Sequence, residues 1–473
     1  MFGAKRLTKS HFFKIIAGLF TAMGFTAIGA FAQLGEIVPS VPCLENEAQT
    51  YALFRPANYT RKKRWPAILL LDAKGQGQPG VEAFQKGAAS YGFILASPNG
   101  LLGNQDQEKQ DEIVRQIFED IIRRFAVDIE AVYVGGVGKA SRPAIDFAKR
   151  IQTTPGLVLS SPEPSTLEAL ENYPRLLAMA IGTQDANAFS TQRWFADHAR
   201  SDRQRLLRFR GATQWTPPET GEEILGWMAL RQWRTRPETE PETGLSTNYE
   251  IRTGHARNLE AERWWTQALE RWQTLTSDFP EDTHQPTVQA VAKRLAKSPS
   301  LKEQMAAEAE ASRMEGQVLD VFQKHFQPDV FTSHQALADN LAWWEAQMNS
   351  LRHIANLPGN NAKKHAALRL IEWLWRRSYL DGLTLLEKKH YQRAAYHQRL
   401  ASDLFPDQAF AHYAHACALA GLNQPEAAIG ALEKSLNSGL DQPDLLRLQP
   451  LFDPIRGQEA FVTLLDRLKS KGD

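Results

Sequence analysis

The sequence predicts an α/β domain followed by an all-α one. Three observations carry this. Up to about residue 232, short apolar runs alternate with stretches of helical period. Between residues 233 and 250 the composition turns to Pro, Glu and Thr, which reads as a linker. Beyond it strand-like runs disappear, and Ala, Leu, Glu, Gln and Trp recur at helical spacing to the C-terminus. Strands that alternate with helices imply a parallel sheet covered on both faces.

The first 32 residues precede any fold. Lys5, Arg6, Lys9 and Lys14 form a basic leader, an apolar run follows from Ile15, and Ala30-Phe31-Ala32 is a small-x-small cleavage pattern. This reads as a secretory signal peptide, so the mature protein is expected to be exported, to a periplasm or outside the cell. The competing reading is a retained N-terminal anchor, because the run approaches the ~20 residues that span a bilayer. Removing residues 1–32 leaves 51 basic against 54 acidic side chains, a net charge of −3. A near-neutral chain without a basic block has no electrostatic footprint for nucleic acid. The two cysteines, Cys43 and Cys417, are too few for a disulfide scaffold, and Cys417 among alanines reads as a small core residue.

Between residues 43 and 232 the elements follow in order. Trp65–Asp72 (WPAILLLD) and Gly92–Pro98 (GFILASP) read as buried strands, and Glu112–Val127 as an amphipathic helix. Ala131–Val137 (AVYVGGV) is a third strand. RPAIDFAKRI is a helix, GLVLSS a short run, and Arg175–Gly182 (RLLAMAIG) another strand. RWFADHARSDRQRL (Arg193–Leu206) reads as helical.

The turn YVGGVGKASRP (Tyr133–Pro143) joins a strand to a helix through glycine. A serine hydrolase places its nucleophile on such a turn, in the pattern G-x-S-x-G. With YALFRPANYTRKKRWPAILLLDAKGQG, AASYGFILASPNG, AMAIGTQD and RFRGATQWTPPE, the region from Thr50 to Leu230 resembles the α/β-hydrolase superfamily, in particular esterases related to polyhydroxybutyrate depolymerases and feruloyl esterases. The resemblance implies a catalytic triad at Gly138, Asp185 and Thr213. Glycine has no side chain to attack with, and threonine is no base near pH 7. Only the acid, Asp185, keeps its type. Where the family carries His-Gly beside the oxyanion, this chain has Asp72-Ala73, and a carboxylate there opposes the developing negative charge.

The histidine count agrees. Of 12 histidines only His198 falls between residues 33 and 230, within the stretch read as a surface helix. Ser141 reads as the N-cap of the helix that Pro143 opens, and Ser160 and Ser161 as loop or cap residues. The triad therefore reads as degenerate, with no catalytic residue assigned. The candidate cleft is Asp72, Gly138, Lys139, Asp185, Thr213 and Trp215, grouped at the carboxyl edge of the sheet where such folds hold ligands.

The second half divides into a helical region, 251–380, and a stretch, 381–473, that resembles tetratricopeptide (TPR) repeats. Gly382, Ala394 and Ala401 stand at the family's small positions before Pro406, and Phe410 and Ala414 open the next unit. The closing segment resembles a capping helix. Ala268, Trp272 and Pro280 hint at an earlier unit. Trp264, Trp265, Trp343, Trp344, Trp373 and Trp375 read mainly as core wedges. His412 and His415, with His390 and His397, lack a carboxylate or cysteine to complete a metal-ligand spacing, and no cofactor is expected.

The resemblances imply an exported, inactive hydrolase fold that binds a protein or peptide at a helical groove, or a small ligand in the vestigial cleft. Nucleic acid and, once the leader is removed, membrane are not expected partners. The alternative is a living carboxylesterase with a non-standard nucleophile or histidine.

Overall fold

The computed structural model describes residues 34–100, 106–199, 202–212, 215–280, 285–326 and 334–469. The signal-peptide reading and Thr213 fall outside them. The chain divides into two units, Met1–Ala306 and Ala307–Asp473.

The first unit is built on one eight-stranded sheet. Its strands are β1 (Ile37–Pro42), β2 (Thr50–Phe54), β3 (Trp65–Asp72), β4 (Ile94–Pro98), β5 (Val127–Val137), β6 (Gly156–Ser160), β7 (Leu176–Gly182) and β8 (Gln204–Phe209). They lie in the order β1-β2-β4-β3-β5-β6-β7-β8. β2 is antiparallel to β1 and to β4, and every pairing from β4 to β8 is parallel. This is the α/β-hydrolase-like sheet that the sequence led one to expect. The central strands are continuous apolar runs because both of their faces are covered. On one face Leu69, Leu71, Val132, Val134 and Leu157 pack against Ile117 and Ile145. On the other, Ile68, Leu70, Tyr133 and Val158 pack against Phe84 and Leu225. Each such side chain contributes about 1.5–3 kcal/mol.

The covering helices are α1 (Gly77–Tyr91), α2 (Gln107–Arg124), α3 (Ser141–Arg150), the single turn α4 (Pro164–Leu167), α5 (Ala188–His198) and α6 (Pro218–Thr235). Their ends follow local chemistry. Gly92, at φ 78°, stops α1 in the left-handed region that glycine tolerates. Asp106 caps α2 by accepting from the Lys109 N–H at 2.9 Å, and Arg123 and Arg124 sit in its last turn, where the helix dipole favours cations.

Two sequence expectations need correction here. The stretch read as one helix, Arg193–Leu206, ends its helix at His198 and re-enters the sheet as β8. The charges that disguise this strand are neutralised from elsewhere: Arg205 meets Asp278 at 2.5 Å and Arg208 meets Glu270 at 2.7 Å. The polar stretch 233–250 is folded rather than a free linker. It holds the end of α6, a 3₁₀ turn at Pro237–Thr239 and the start of α7 (Gly244–Ala261). Arg236 pairs with Asp128 of β5 at 2.6 Å, and the buried Asn248 donates to the Gly226 carbonyl at 2.6 Å.

After α7 come α8 (Trp265–Asp278), α9 (Gln285–Ala296) and α10 (Pro299–His325), the last crossing the division between the units. Asp278 is fully buried and is bound by Arg252 of α7 at 2.6 Å as well as by Arg205. Burial alone would raise its carboxyl, but Arg252 and Arg205 outweigh it and hold the group below its usual range. Arg205 is itself lowered to about 10, first by burial and then by the neighbouring Arg252.

The second unit holds α11 (His334–Ala355), α12 (Ala362–Trp375), α13 (Asp381–Glu387), α14 (Tyr391–Leu404), α15 (Ala409–Gly421), α16 (Pro425–Asn437), α17 (Pro443–Leu448) and α18 (Glu459–Lys469). One core gathers Phe322, Trp344, Leu370 and Leu400. Beside it Arg369 grips the buried Glu315 through two hydrogen bonds, 2.8 and 2.5 Å. A second core joins Leu432, Leu436, Phe452 and Phe461.

One turn recurs. Arg263, Lys389 and Asn423 all have left-handed φ, 64°, 60° and 58°. In each case the next residue donates back five positions: Trp264 to Leu259, His390 to Leu385 and Gln424 to Leu419, at 2.8–3.0 Å. This is a Schellman closure, and it joins α7 to α8, α13 to α14 and α15 to α16 in the same way. Where helices of the second unit cross closely, the residues are small. A Cβ on Gly382 would lie 2.5 Å from the Gln398 amide nitrogen, and Ala394 and Ala401 are fully buried.

Candidate functional site

The strand registers place Asp72, Val137, Ser160, Ala180 and Leu207 in one row across the carboxyl side of the sheet. The loops that leave this row carry the candidate residues.

β5 runs straight into Gly138, whose φ is +53°. That is the left-handed conformation a nucleophile elbow demands. Among the described residues, a Cβ added at Gly138 meets nothing within 4 Å. The glycine two residues earlier is different. A Cβ on Gly136 would lie 2.5 Å from the Ala140 carbonyl oxygen and 2.8 Å from the Ala144 Cβ, because strand and helix cross closely there. This strand-to-helix turn thus combines a left-handed glycine, a close crossing of strand and helix, and an immediate helix start. Lys139 beside it is exposed.

Ser141 does not cap the helix, contrary to the sequence expectation. It is already helical (φ −59°, ψ −37°), Ala140 stands at the N-cap, and no side chain caps the first turn. The 3₁₀ turn Gly138–Ala140 starts the winding early and draws Ser141 inside. Its hydroxyl is fully buried and has no hydrogen-bond partner among the described residues. Ser160 and Ser161 are also fully buried.

Asp185 follows β7. Its Oδ1 accepts from the Asn187 N–H at 2.8 Å, and its carbonyl accepts from the Ala188 N–H at 2.8 Å, so the residue shapes the turn into α5. The side chain is fully buried, and Oδ2 has no partner among the described residues. This acid loop is stitched to the loop after β8. The Thr183 N–H donates to the Phe209 carbonyl and the Gln184 N–H to that of Gly211, each at 2.8 Å. Gly182 lies so close to Gly211 and Ala212 that a Cβ would overlap them. The backbone leading to position 213 therefore runs against the acid loop, although Thr213 itself lies outside the described residues.

On the other side of the elbow, Asp72 ends β3 next to Val137. Its Oδ1 accepts from the Lys74 N–H at 2.7 Å and its Oδ2 from the Trp215 indole N–H at 3.2 Å. Trp215 is buried, edge-on to Phe84 at 6.0 Å, and pressed on Gly80 of α1. Sequence reading placed both residues in the cleft but missed that they are partners. Their bond spans 143 positions, and no local signal encodes it. A second missed residue is Asn99. It accepts from the Gly77 N–H at 3.2 Å and donates to the Pro39 carbonyl at 3.0 Å, tying the start of α1 to the loop after β4.

His198 sits at the end of α5, stacked on Trp194 at 5.0 Å with Nδ1 2.9 Å from the Trp194 carbonyl. Among the described residues no group of three or more His, Cys, Asp or Glu is placed to hold a metal ion. His412 and His397 are each engaged with a backbone carbonyl, of Pro406 and Arg377. No helix of the described residues is long and apolar enough to cross a membrane.

No protein-family model and no curated protein matches the chain. Solved structures with partial likeness include Est1E from Butyrivibrio proteoclasticus, at 10% identity over 38% of this chain and 94% of that one, with a TM-score of 0.32. Esterase 2 of Thermogutta terrifontis is 15% identical over 42% of this chain and 94% of its own, with a TM-score of 0.31. A 2,6-dihydroxy-pseudo-oxynicotine hydrolase is 12% identical over 41% of this chain and 67% of its own, with a TM-score of 0.32. Likenesses this slight say nothing of activity.

Proposed function

We propose that the chain is an exported, catalytically inactive protein of α/β-hydrolase fold that works by binding, through TPR-like helical repeats. Gly138 carries the reading: its φ of +53° suits a nucleophile turn, and among the described residues nothing stands within 4 Å of where a side chain would begin. Three further facts support it. The nearby hydroxyls of Ser141, Ser160 and Ser161 are sealed from solvent. The resemblance puts the Asp72 carboxylate on the oxyanion side, where it would oppose an acyl-transfer transition state. The buried Oδ2 of Asp185 has no partner among the described residues, and the resemblance puts a threonine, not a histidine, opposite it.

The binding role leans on the recurring Schellman turn and on the small residues at the helix crossings, features of a stacked repeat. Phe410, at an aromatic position of the repeat pattern, is 46% exposed and offers an anchor for a protein or peptide. The leader at residues 1–32 supports export.

Fluorophosphonate labelling of the folded chain tests inactivity. No labelling and no p-nitrophenyl acetate hydrolysis above buffer is expected. Labelling that disappears in Ser141→Ala would establish a living esterase instead. For binding, a partner captured by the full chain should be lost with Phe410→Glu; equal capture by both would move the binding site elsewhere.

A further inference from the structure

The near-neutral total of the chain conceals one local excess of charge. Arg61, Lys62, Lys63 and Arg64 stand in a row on the loop between β2 and β3, and all four are exposed. The sequence expectation of no basic block passed over this run. The paired carboxylates of the neighbourhood are taken by other cations: Glu45 by Arg123, Asp120 by Arg124 and Asp128 by Arg236. None of the four forms an ion pair among the described residues.

The loop is held so that its charges face outward. Trp65, buried at the start of β3, donates its indole N–H to the Thr60 carbonyl at 2.8 Å. Its ring lies under the Lys63 ammonium, 3.7 Å from the centroid. Arg61 reaches the Arg124 carbonyl at the end of α2, at 3.1 Å. The side chains of Lys62 and Arg64 have no hydrogen bond among the described residues.

Strand register fixes which edge this is. Phe54 pairs with Leu95 and Trp65 with Val127, so the loop hangs from the amino ends of the parallel strands, opposite the row that holds Asp72. Two exposed acids, Glu36 and Glu130, share the edge, which leaves the excess concentrated on the loop. The described chain enters at the same place. The Gly35 N–H donates to the Arg55 carbonyl at 2.8 Å, and the Arg55 guanidinium lies 5.3 Å from the Tyr59 ring, which meets Trp65 at 5.7 Å. Leu34 is 39% exposed. In the sequence the apolar run Ile15–Ala32 stands directly before it.

We infer that this face docks on an anionic phospholipid surface, the basic loop against the head groups and Leu34 at the interface. An acidic protein would match the cations alone. A bilayer matches the cations, the exposed leucine and the point where the apolar leader joins the fold. The inference goes beyond the binding role above and needs neither the elbow nor the repeats. Docking itself needs no leader and is tested without one.

The test uses the chain from Gln33 onward, since every described element lies after that residue. It should sediment with vesicles of equal parts phosphatidylglycerol and phosphatidylcholine at low salt, and stay in solution with phosphatidylcholine alone. About 0.5 M NaCl should release it, because salt at that level screens charges within a few ångströms. Lys62→Gln with Arg64→Gln should keep the unfolding midpoint and weaken vesicle binding about thirtyfold, roughly fivefold for each charge. Should that pair fail to fold, Lys62→Glu alone, at an exposed position, should weaken binding to a similar degree. The inference falls if anionic vesicles do not bind, if phosphatidylcholine binds equally well, or if a folded variant binds as the parent does. It falls equally if polyglutamate binds and vesicles do not, which would assign the loop to an acidic protein.

Discussion

Trp215 donates its indole N–H to Asp72 across 3.2 Å, joining the loop after β8 to the end of β3 with both side chains buried. Trp215→Phe keeps most of the ring and removes the donor, so one carboxylate oxygen is left buried and unpaired. The expected cost is about 1–3 kcal/mol in urea unfolding. Combined with Asp72→Ala, the losses should fall short of additive by at least about 0.5 kcal/mol. Strict additivity would mean that the bond contributes nothing.

The two elbow glycines should respond differently to the same methyl group. Gly138→Ala meets nothing within 4 Å among the described residues and is opposed by its left-handed backbone, a cost of about 1 kcal/mol. Gly136→Ala drives a Cβ into the Ala140 carbonyl and should cost more, about 2–4 kcal/mol or outright misfolding. Thermal unfolding of the pair decides it. Equal losses would contradict the open elbow.

Glu222 of α6 is almost buried, with Lys86 at 2.9 Å, His255 at 3.0 Å and Ser90 donating at 2.9 Å. Burial pushes its carboxyl up, but the bonds from His255, Lys86 and Ser90 outweigh it and lower it from 4.5 to about 2. Between those values the unfolded chain binds the extra proton. The stabilisation, about 3 kcal/mol, is therefore full above pH ~4.5 and is lost as pH falls toward 2. Glu222→Gln should flatten the acid limb of stability against pH while leaving its shape above pH 6 unchanged. A parallel acid limb in the variant would show that other carboxylates set it.

The recurring turn predicts a gain. Lys389 holds φ 60°, which a side chain resists, so Lys389→Gly should stabilise by about 0.5–1 kcal/mol. Asn423→Gly should gain less, because asparagine tolerates this conformation. Denaturant midpoints of the two variants give the comparison, and destabilisation by Lys389→Gly would mean that its side chain holds the turn.

Much of the sheet was legible because burial on both faces writes itself as uninterrupted apolar runs. Trp65–Asp72 is such a run and is β3 from end to end. β8 was not legible. Its arginines suit a strand only because Asp278 and Glu270, some 60 to 70 residues later, neutralise them. The false linker failed for the same reason, since Arg236 finds its partner, Asp128, 108 residues away. At the site, Gly138 was readable because the absence of a side chain is a property of one residue. The roles of Asp72 and Trp215 were not, because each depends on the other. Ser141 was misjudged by the length of one 3₁₀ turn, which periodicity does not resolve.

At Gly138 no described residue stands within 4 Å of where a side chain would begin, which makes this turn a natural point of attachment. Cys43 and Cys417 are both buried, and burial pushes their thiols up to about 11 and about 12, where they resist alkylation. A cysteine introduced as Gly138→Cys would then stand as the single reactive thiol, on the turn between β5 and α3. A solvent-sensitive dye coupled there would report, by its colour alone, whatever molecule settles beside it.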